Sequence, residues 1–279
     1  MLRRARPWLG TIVEIAVAAS GVEADDRRSI ELGFARIADL HRLMSFQAIS
    51  SDVSRVNRAN PRQLVSLGND TVAVLRMAMA LHEASGGIFN ICVGRALVRH
   101  GFLPRDGVGH LARYCGTMAD LTIVDDNHIR VDRRMLIDLG GIAKGYAVDC
   151  AIDTMIGAGV SSGIVNAGGD LRIFGPMRQP VAIRFGSGRY ADLGLRGPVA
   201  IASSENRHLR KRLRGQLVTP HVDVRGESIL IDEAVVVTAA TCMAADALTK
   251  VAMVSPLVAD GIAQRHGGQL LYPVVTSQC

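Results

Sequence analysis

Apolar residues Ile30, Leu32, Phe34, Ile37, Leu40 and Leu43 recur at three- and four-residue steps between Ala24 and Met44. An acidic start at Glu23, Asp25 and Asp26 precedes them, as suits the positive end of a helix dipole, and the pattern predicts an amphipathic helix. A second helix is expected from about Thr71 to Ala84, capped by Asn69 or Asp70 and stopped by Gly86 and Gly87, with Met77 and Met79 in the core. Leu121 to Leu139 alternates like two strands joined at Asp125-Asp126-Asn127, which fits a hairpin.

Further along come a helix from about Lys144 to Ile156, a strand from Gly163 to Asn166, a Gly-Gly turn, and strands around Ala182 and Ala200. A strand from Ala234 to Val237, a helix from about Thr241 to Met253 and a last helix-strand pair ending at Val275 complete the pattern. Strands and helices are mixed without strict alternation. The expectation is therefore an α+β fold of layered, largely antiparallel sheets with packed helices, in one domain over residues 1–279.

With 48% hydrophobic and 21% charged residues the composition is that of a globular chain. Aromatic residues make up only 4%, too few for the row of stacking rings that single-stranded nucleic acid requires. The net charge of +6 permits anionic ligands without choosing among them. Part of it is local, in Arg207 to Arg214, which reads as a solvated basic loop or as a loop closing over a dinucleotide's phosphates. Cys92, Cys115, Cys150, Cys242 and Cys279 are odd in number, widely spaced and without a C-x-x-C pair, so they imply neither a disulfide framework nor a zinc site. The first twenty residues imitate a signal peptide, but Glu14 interrupts the apolar run, and T-I-V-E-I-A-V alternates as a strand. No cleaved signal and no membrane span are expected, and a cytoplasmic location follows as the expectation.

Four segments carry candidate chemistry. In Ile137-Asp138-Leu139-Gly140-Gly141-Ile142-Ala143-Lys144-Gly145-Tyr146-Ala147-Val148-Asp149, a strand ending in a carboxylate leads into two glycines at the mouth of a helix, exposing backbone groups to phosphate or metal. Val165-Asn166-Ala167-Gly168-Gly169-Asp170-Leu171 lets a flat ligand approach the backbone while Asn166 and Asp170 bond its polar edge. The spacing is not that of a dinucleotide-binding Rossmann turn. Ser85 to Gly94 follows a helix C-terminus, and Met243 to Lys250 lies on a helix with Asp246, Thr249 and Lys250 on one face.

In this order the segments resemble the FAD:protein FMN transferases, the ApbE family. The opening R-A-R-P-W-L-G-T-I-V-E-I is similar to the family's M-G-T strand, and Met44 to Asn57 to its D-S-E-I-S-x-x-N stretch. Gly86 to Gly94 resembles G-G-A-F-D-x-T-V-G-P, with Asn90 in place of the aspartate. The resemblance implies an enzyme that binds FAD and Mg²⁺ and transfers FMN to a threonine hydroxyl of a target flavoprotein, releasing AMP. Hydrolysis of FAD to FMN and AMP, or flavin binding without chemistry, are the alternatives. It implies FAD contacts at Ile88, Phe89, Asn90, Asp138, Lys144, Asn166, Gly168, Gly169, Asp170 and Val222. The implied metal ligands are the Gly141 carbonyl and the Asp246 carboxylate, and the implied catalytic residues His221 and Asp246.

Two departures alter that picture. The family's third metal ligand, a threonine four residues after the aspartate, is Lys250 here, and an ammonium group does not ligate Mg²⁺. Either Thr249 substitutes one position early, or Lys250 itself supplies positive charge near the pyrophosphate. In Thr219 to Gly226, similar to the family's H-x-I-D-P-R-T-G, Pro220 occupies the histidine's place, and His221 takes the role of base only if the loop shifts by one residue.

Overall fold

The computed structural model describes residues 1–184 and 190–272. Along the chain run β1 (Leu2–Trp8), β2 (Thr11–Val17), α1 (Glu23–Met44), α2 (Asp52–Arg58), β3 (Gln63–Ser66), α3 (Asn69–Ala84), α4 (Gly94–Arg99), β4 (Leu121–Ile123) and β5 (His128–Val131). There follow α5 (Ala143–Gly157), β6 (Gly163–Ala167), β7 (Asp170–Phe174), β8 (Arg178–Arg184), β9 (Tyr190–Arg196) and β10 (Val199–Ser204). The last elements are β11 (Lys211–Leu213), β12 (Gln216–Val218), β13 (Val235–Ala239), α6 (Cys242–Ala252), α7 (Pro256–Arg265) and β14 (Leu270–Tyr272). The chain divides into two compact units, the first from Met1–His41, Ile142–Glu205 and the chain from Glu233 on, the second from Arg42–Gly141 and Asn206–Asp232. The architecture is α+β.

The first unit is built on a seven-stranded sheet in the order β1-β2-β6-β7-β10-β13-β14, antiparallel at every pairing. On one face Ala16, Ile164, Leu171, Ile173, Ile201 and Val236 pack with Val181 and Ile183 of the β8-β9 hairpin. Helices cover the other. A Cβ placed on Gly33 of α1 would come within 3.0 Å of Ile15 Cδ1 and 3.3 Å of Met155 Sδ, so α1 lies closely on β2 and α5. The expected Gly-Gly turn joins β6 to β7. Ala167 pairs with Asp170, and Gly168 and Gly169 hold φ of +68° and +104°, as a tight two-residue hairpin requires.

In the second unit β3-β5-β4 form a three-stranded antiparallel sheet. The expected hairpin is β4-β5, but its second strand ends at Val131 rather than Leu139. Residues 132–139 leave the ladder because their polar groups find other partners: Gly116 donates to the Arg134 carbonyl, Gly94 to that of Leu136, and Asp138 to that of Ile91. Strand β3 escapes a periodicity reading because Gln63, Leu64 and Ser66 are exposed and only Val65 is buried.

Helix α1 matches its prediction, except that Leu32, two residues from both Ile30 and Phe34, projects from the opposite side and is 40% exposed. Helix α3 begins at Asn69 with Gly68 as N-cap, so neither Asn69 nor Asp70 caps it. Buried Asp52 of α2 braces this end, its Oδ2 accepting from Gly68 N at 2.8 Å and Thr71 Oγ1 at 2.6 Å. Met77 and Met79 are half-buried, and the core is filled by Val72, Val74, Leu75, Ala78 and Leu81. Among the described residues Cys92, Cys115, Cys150 and Cys242 form no disulfide, and no helix is long and apolar enough to cross a membrane. Cys279 and the end of the last strand, expected at Val275, lie outside the described residues.

Part of the basic run is tied to protein partners. Arg210 bonds the Ile231 carbonyl and pairs with Asp232 at 2.9 Å, while Lys211 bonds the Gly101 carbonyl at 2.7 Å and lies 4.0 Å from the centre of the Phe102 ring.

Candidate active site

Two helices of the first unit meet where the glycine-rich motif opens α5. Gly145 lies against α6 so closely that a Cβ there would stand 2.3 Å from the Cys242 carbonyl oxygen, and glycine is the residue that allows the approach. One turn further along α5, Asp149 accepts from the backbone of Cys242 at 3.0 Å and Met243 at 2.8 Å. It thereby neutralises the first donors of α6, and Arg172 holds its Oδ1 at 2.9 Å. Thr241 adds the N-cap bond, from Ala244 N to its hydroxyl at 3.3 Å. These contacts fix the roll of α6 and so aim Asp246 at α5.

Asp246 is wholly buried. Its Oδ2 accepts from Gly145 N at 3.1 Å and its Oδ1 from Lys250 Nζ at 2.6 Å, while Lys144 Nζ lies 3.5 Å from both oxygens. Lys144 also pairs with Asp170. Lys250 reaches Ser204 Oγ and Thr249 Oγ1, both at 3.0 Å, and those hydroxyls stand 2.7 Å apart. Thr249 turns its own proton back to the Asp246 carbonyl at 2.7 Å.

Burial alone would raise the Asp246 carboxyl, but the Lys144 and Lys250 ammonium groups outweigh it and hold the group below the ordinary carboxylate value. Asp170 moves the other way, pushed up by burial and by the charge of Asp246 against the pull of Lys144. Lys144 pays for burial as well, yet the two carboxylates overcome it and keep the ammonium charged. The cluster thus sets its two buried carboxyls apart, Asp246 held below the ordinary carboxylate value and Asp170 above it.

The β6-β7 hairpin supplies Asp170. Asn166 Oδ1 accepts from Gly169 N at 3.0 Å, closing the turn from within. A Cβ on Gly168 would stand 2.3 Å from Thr11 Oγ1, so the turn also needs glycine for space. Asp170 is 2% exposed, and its Oδ1 is buried without a hydrogen-bond partner among the described residues. An orphaned buried acceptor is costly and points to a donor that the protein itself does not supply.

The other predicted residues belong to the second unit. Phe89 is buried, its N–H donating to Ser85 Oγ at 3.0 Å and its carbonyl 2.7 Å from His82 Nδ1; Ile88 and Asn90 are half-buried. Asn90 Oδ1 accepts from Cys92 N at 2.8 Å. The bond from Asp138 N to the Ile91 carbonyl, 2.8 Å, places the Ile88 to Cys92 segment beside that of Asp138. Asn57 then clamps the adjacent residue, accepting from Ile137 N at 2.7 Å and donating to its carbonyl at 3.0 Å. Asp138 Oδ2 accepts from Gly140 N at 3.0 Å, and burial raises its carboxyl above the ordinary value against that bond. Gly141 is half-buried beside it in sequence. His221 is half-buried in a loop whose buried Thr219 Oγ1 lies 2.8 Å from the His221 carbonyl and accepts from His221 N at 3.3 Å; Val222 bridges to Ser228.

The donors of the first unit do not fit Mg²⁺. Both Asp246 oxygens are engaged, one by an ammonium group at 2.6 Å, and the Thr249 hydroxyl is shared between the Asp246 carbonyl, Ser204 and Lys250. Among the described residues no three His, Cys, Asp or Glu side chains gather to hold a metal ion. Thr249 is thus a link in the hydroxyl network of Ser204, Lys250 and the Asp246 carbonyl. Sequence reasoning missed Ser204, Asp149 and Arg172. Asp149 stood in the quoted motif, but its partners, 93 and 94 residues away, leave no local signal.

The chain is 24% identical over 188 residues to a protein from Vibrio cholerae named FAD:protein FMN transferase, covering 64% of this chain and 56% of that one. It is 28% identical over 142 residues to a protein of the same name from Klebsiella pneumoniae, covering 48% and 45%. The matched region thus spans about half the length of these curated relatives. Among solved structures, the ApbE protein of Thermotoga maritima superposes with a TM-score of 0.80 at 25% identity, over 96% of this chain and 93% of that one. The flavin transferase ApbE of Vibrio cholerae gives 0.78 at 23%, over 96% and 91%, which shows the shared fold. The ApbE family model matches residues 9–270, through both units, and the chain belongs to the ApbE family.

Proposed function

We propose that the chain transfers the FMN moiety of FAD to a threonine hydroxyl of a partner flavoprotein and releases AMP. The observation that carries this reading is the pair of part-exposed ammonium groups, Lys144 and Lys250, fixed on the buried carboxylates Asp170 and Asp246 beside a double-glycine hairpin. Fixed cations at a closely approached backbone suit a pyrophosphate, and the relatives' names supply the flavin. In the step itself the acceptor oxygen forms a bond to the FMN phosphorus while the bridging P–O bond breaks. AMP leaves with the electron pair, and the acceptor proton passes to a base, for which His221 is the candidate of this chain. Lys144 offsets charge on the phosphates, Asp246 holds both ammonium groups in place, and Asp170 offers its spare oxygen to a ligand donor.

The experiment is incubation of the purified protein with FAD, with and without a threonine-bearing acceptor fragment, read by mass spectrometry. AMP together with an acceptor heavier by FMN is the expected result. Free FMN and AMP without acceptor labelling would replace the reading with hydrolysis, and bound but intact FAD would replace it with flavin binding alone.

A further inference from the structure

We infer that the first unit holds the pyrophosphate of a flavin dinucleotide without a divalent cation, the Lys250 ammonium standing in its place; this rests on the functional reading above. The Lys250 side chain is 20% exposed, and its Nζ is set by three acceptors, Asp246 Oδ1 at 2.6 Å and the hydroxyls of Ser204 and Thr249 at 3.0 Å. It therefore engages an oxygen of the carboxylate that would otherwise be open to an ion. The formal charges of Asp170, Asp246, Lys144 and Lys250 sum to zero. A threonine at position 250 would leave the same cluster one negative charge in excess, a deficit that a divalent ion could correct; with lysine there is none. An added ion would instead meet a fixed ammonium beside its only anionic ligand on α6, which costs Coulomb energy. A phosphate oxygen has no such obstacle. It competes with two neutral hydroxyls for the Lys250 donors, and charged acceptors make the stronger bonds.

The test titrates the full chain with FAD, following flavin fluorescence, once in EDTA and once in excess Mg²⁺, and titrates Mg²⁺ alone by calorimetry. The dissociation constant of the wild type is expected to agree within about twofold between the two conditions, a difference of ~0.4 kcal/mol, with no Mg²⁺ binding in the absence of flavin. Lys250→Thr is expected to bind roughly tenfold or more weakly in EDTA and to recover in Mg²⁺, whereas Lys250→Met stays weak in both. Wild-type binding that strengthens about tenfold in Mg²⁺ would overturn the inference and leave the functional reading standing. So would Lys250→Thr binding as tightly as wild type in EDTA. Absence of FAD binding by the wild type in both conditions would overturn the functional reading and the inference together. If either variant fails to fold, the wild-type comparison decides alone.

Discussion

The Lys250 ammonium sits 2.6 Å from Asp246 Oδ1, one turn along α6 from a carboxylate that is wholly buried. On an isolated helix an i, i+4 pair of this kind contributes a few tenths of a kcal/mol. Here the carboxylate also anchors Lys144 and the Gly145 amide of α5, so the pair is the knot between two helices.

Asp246→Asn is expected to destabilise the protein by about 3–5 kcal/mol at neutral pH, because it leaves the Lys250 ammonium with neutral hydroxyls alone and Lys144 with Asp170 alone. The folded-state value of Asp246 is depressed, so its contribution is present above the unfolded value of about 3.9 and is lost as pH falls through the lower folded value. Urea midpoints of wild type and variant should therefore differ at pH 7 and converge in strong acid. An equal gap at both ends would show that charge is not the source.

Asp138→Asn has the opposite sign. Its folded-state value is raised, so the aspartate's contribution is full below the unfolded value and is lost as pH rises through the folded one. Asparagine keeps an acceptor for the Gly140 amide and carries no charge to desolvate. Thermal unfolding of the variant should come at higher temperature than wild type at pH 7 and at a similar temperature near pH 3, while FAD binding weakens.

Gly145→Ala places a methyl group 2.3 Å from the Cys242 carbonyl oxygen, where backbone must move to make room. A loss of about 1–3 kcal/mol, typical of overpacking, is expected in chemical denaturation. Because the same glycine donates to Asp246, FAD binding should weaken more than for an alanine at Gly157, whose Cβ meets nothing within 4 Å.

Asn57→Ala strands the N–H and the carbonyl of Ile137, which is wholly buried. At roughly 1–3 kcal/mol for each unsatisfied group, an unfolding free energy lower by about 3 kcal/mol is expected from denaturant titration. Amide exchange at Ile137 should accelerate, and a protection factor unchanged from wild type would contradict the assignment.

Elements whose cause lies within a few residues were legible in the sequence. The run of apolar positions on α1, the Gly86-Gly87 stop after α3 and the Gly168-Gly169 hairpin each follow from periodicity or from glycine's tolerance of positive φ, which neighbours in the chain impose. The Asp246–Lys250 pairing was also readable, since helix geometry alone puts those residues on one face. Strand β3 was not, because four mostly exposed residues show no alternation and owe their conformation to the ladder with β5. The cluster itself was readable only as separate motifs. Lys144 meets Asp170 across 26 residues and Asp246 across 102, while Ser204 joins Lys250 across 46. Such distances are closed by sheet order and helix packing, and the competition of two ammonium groups for one buried carboxylate exists only once the fold has brought them together.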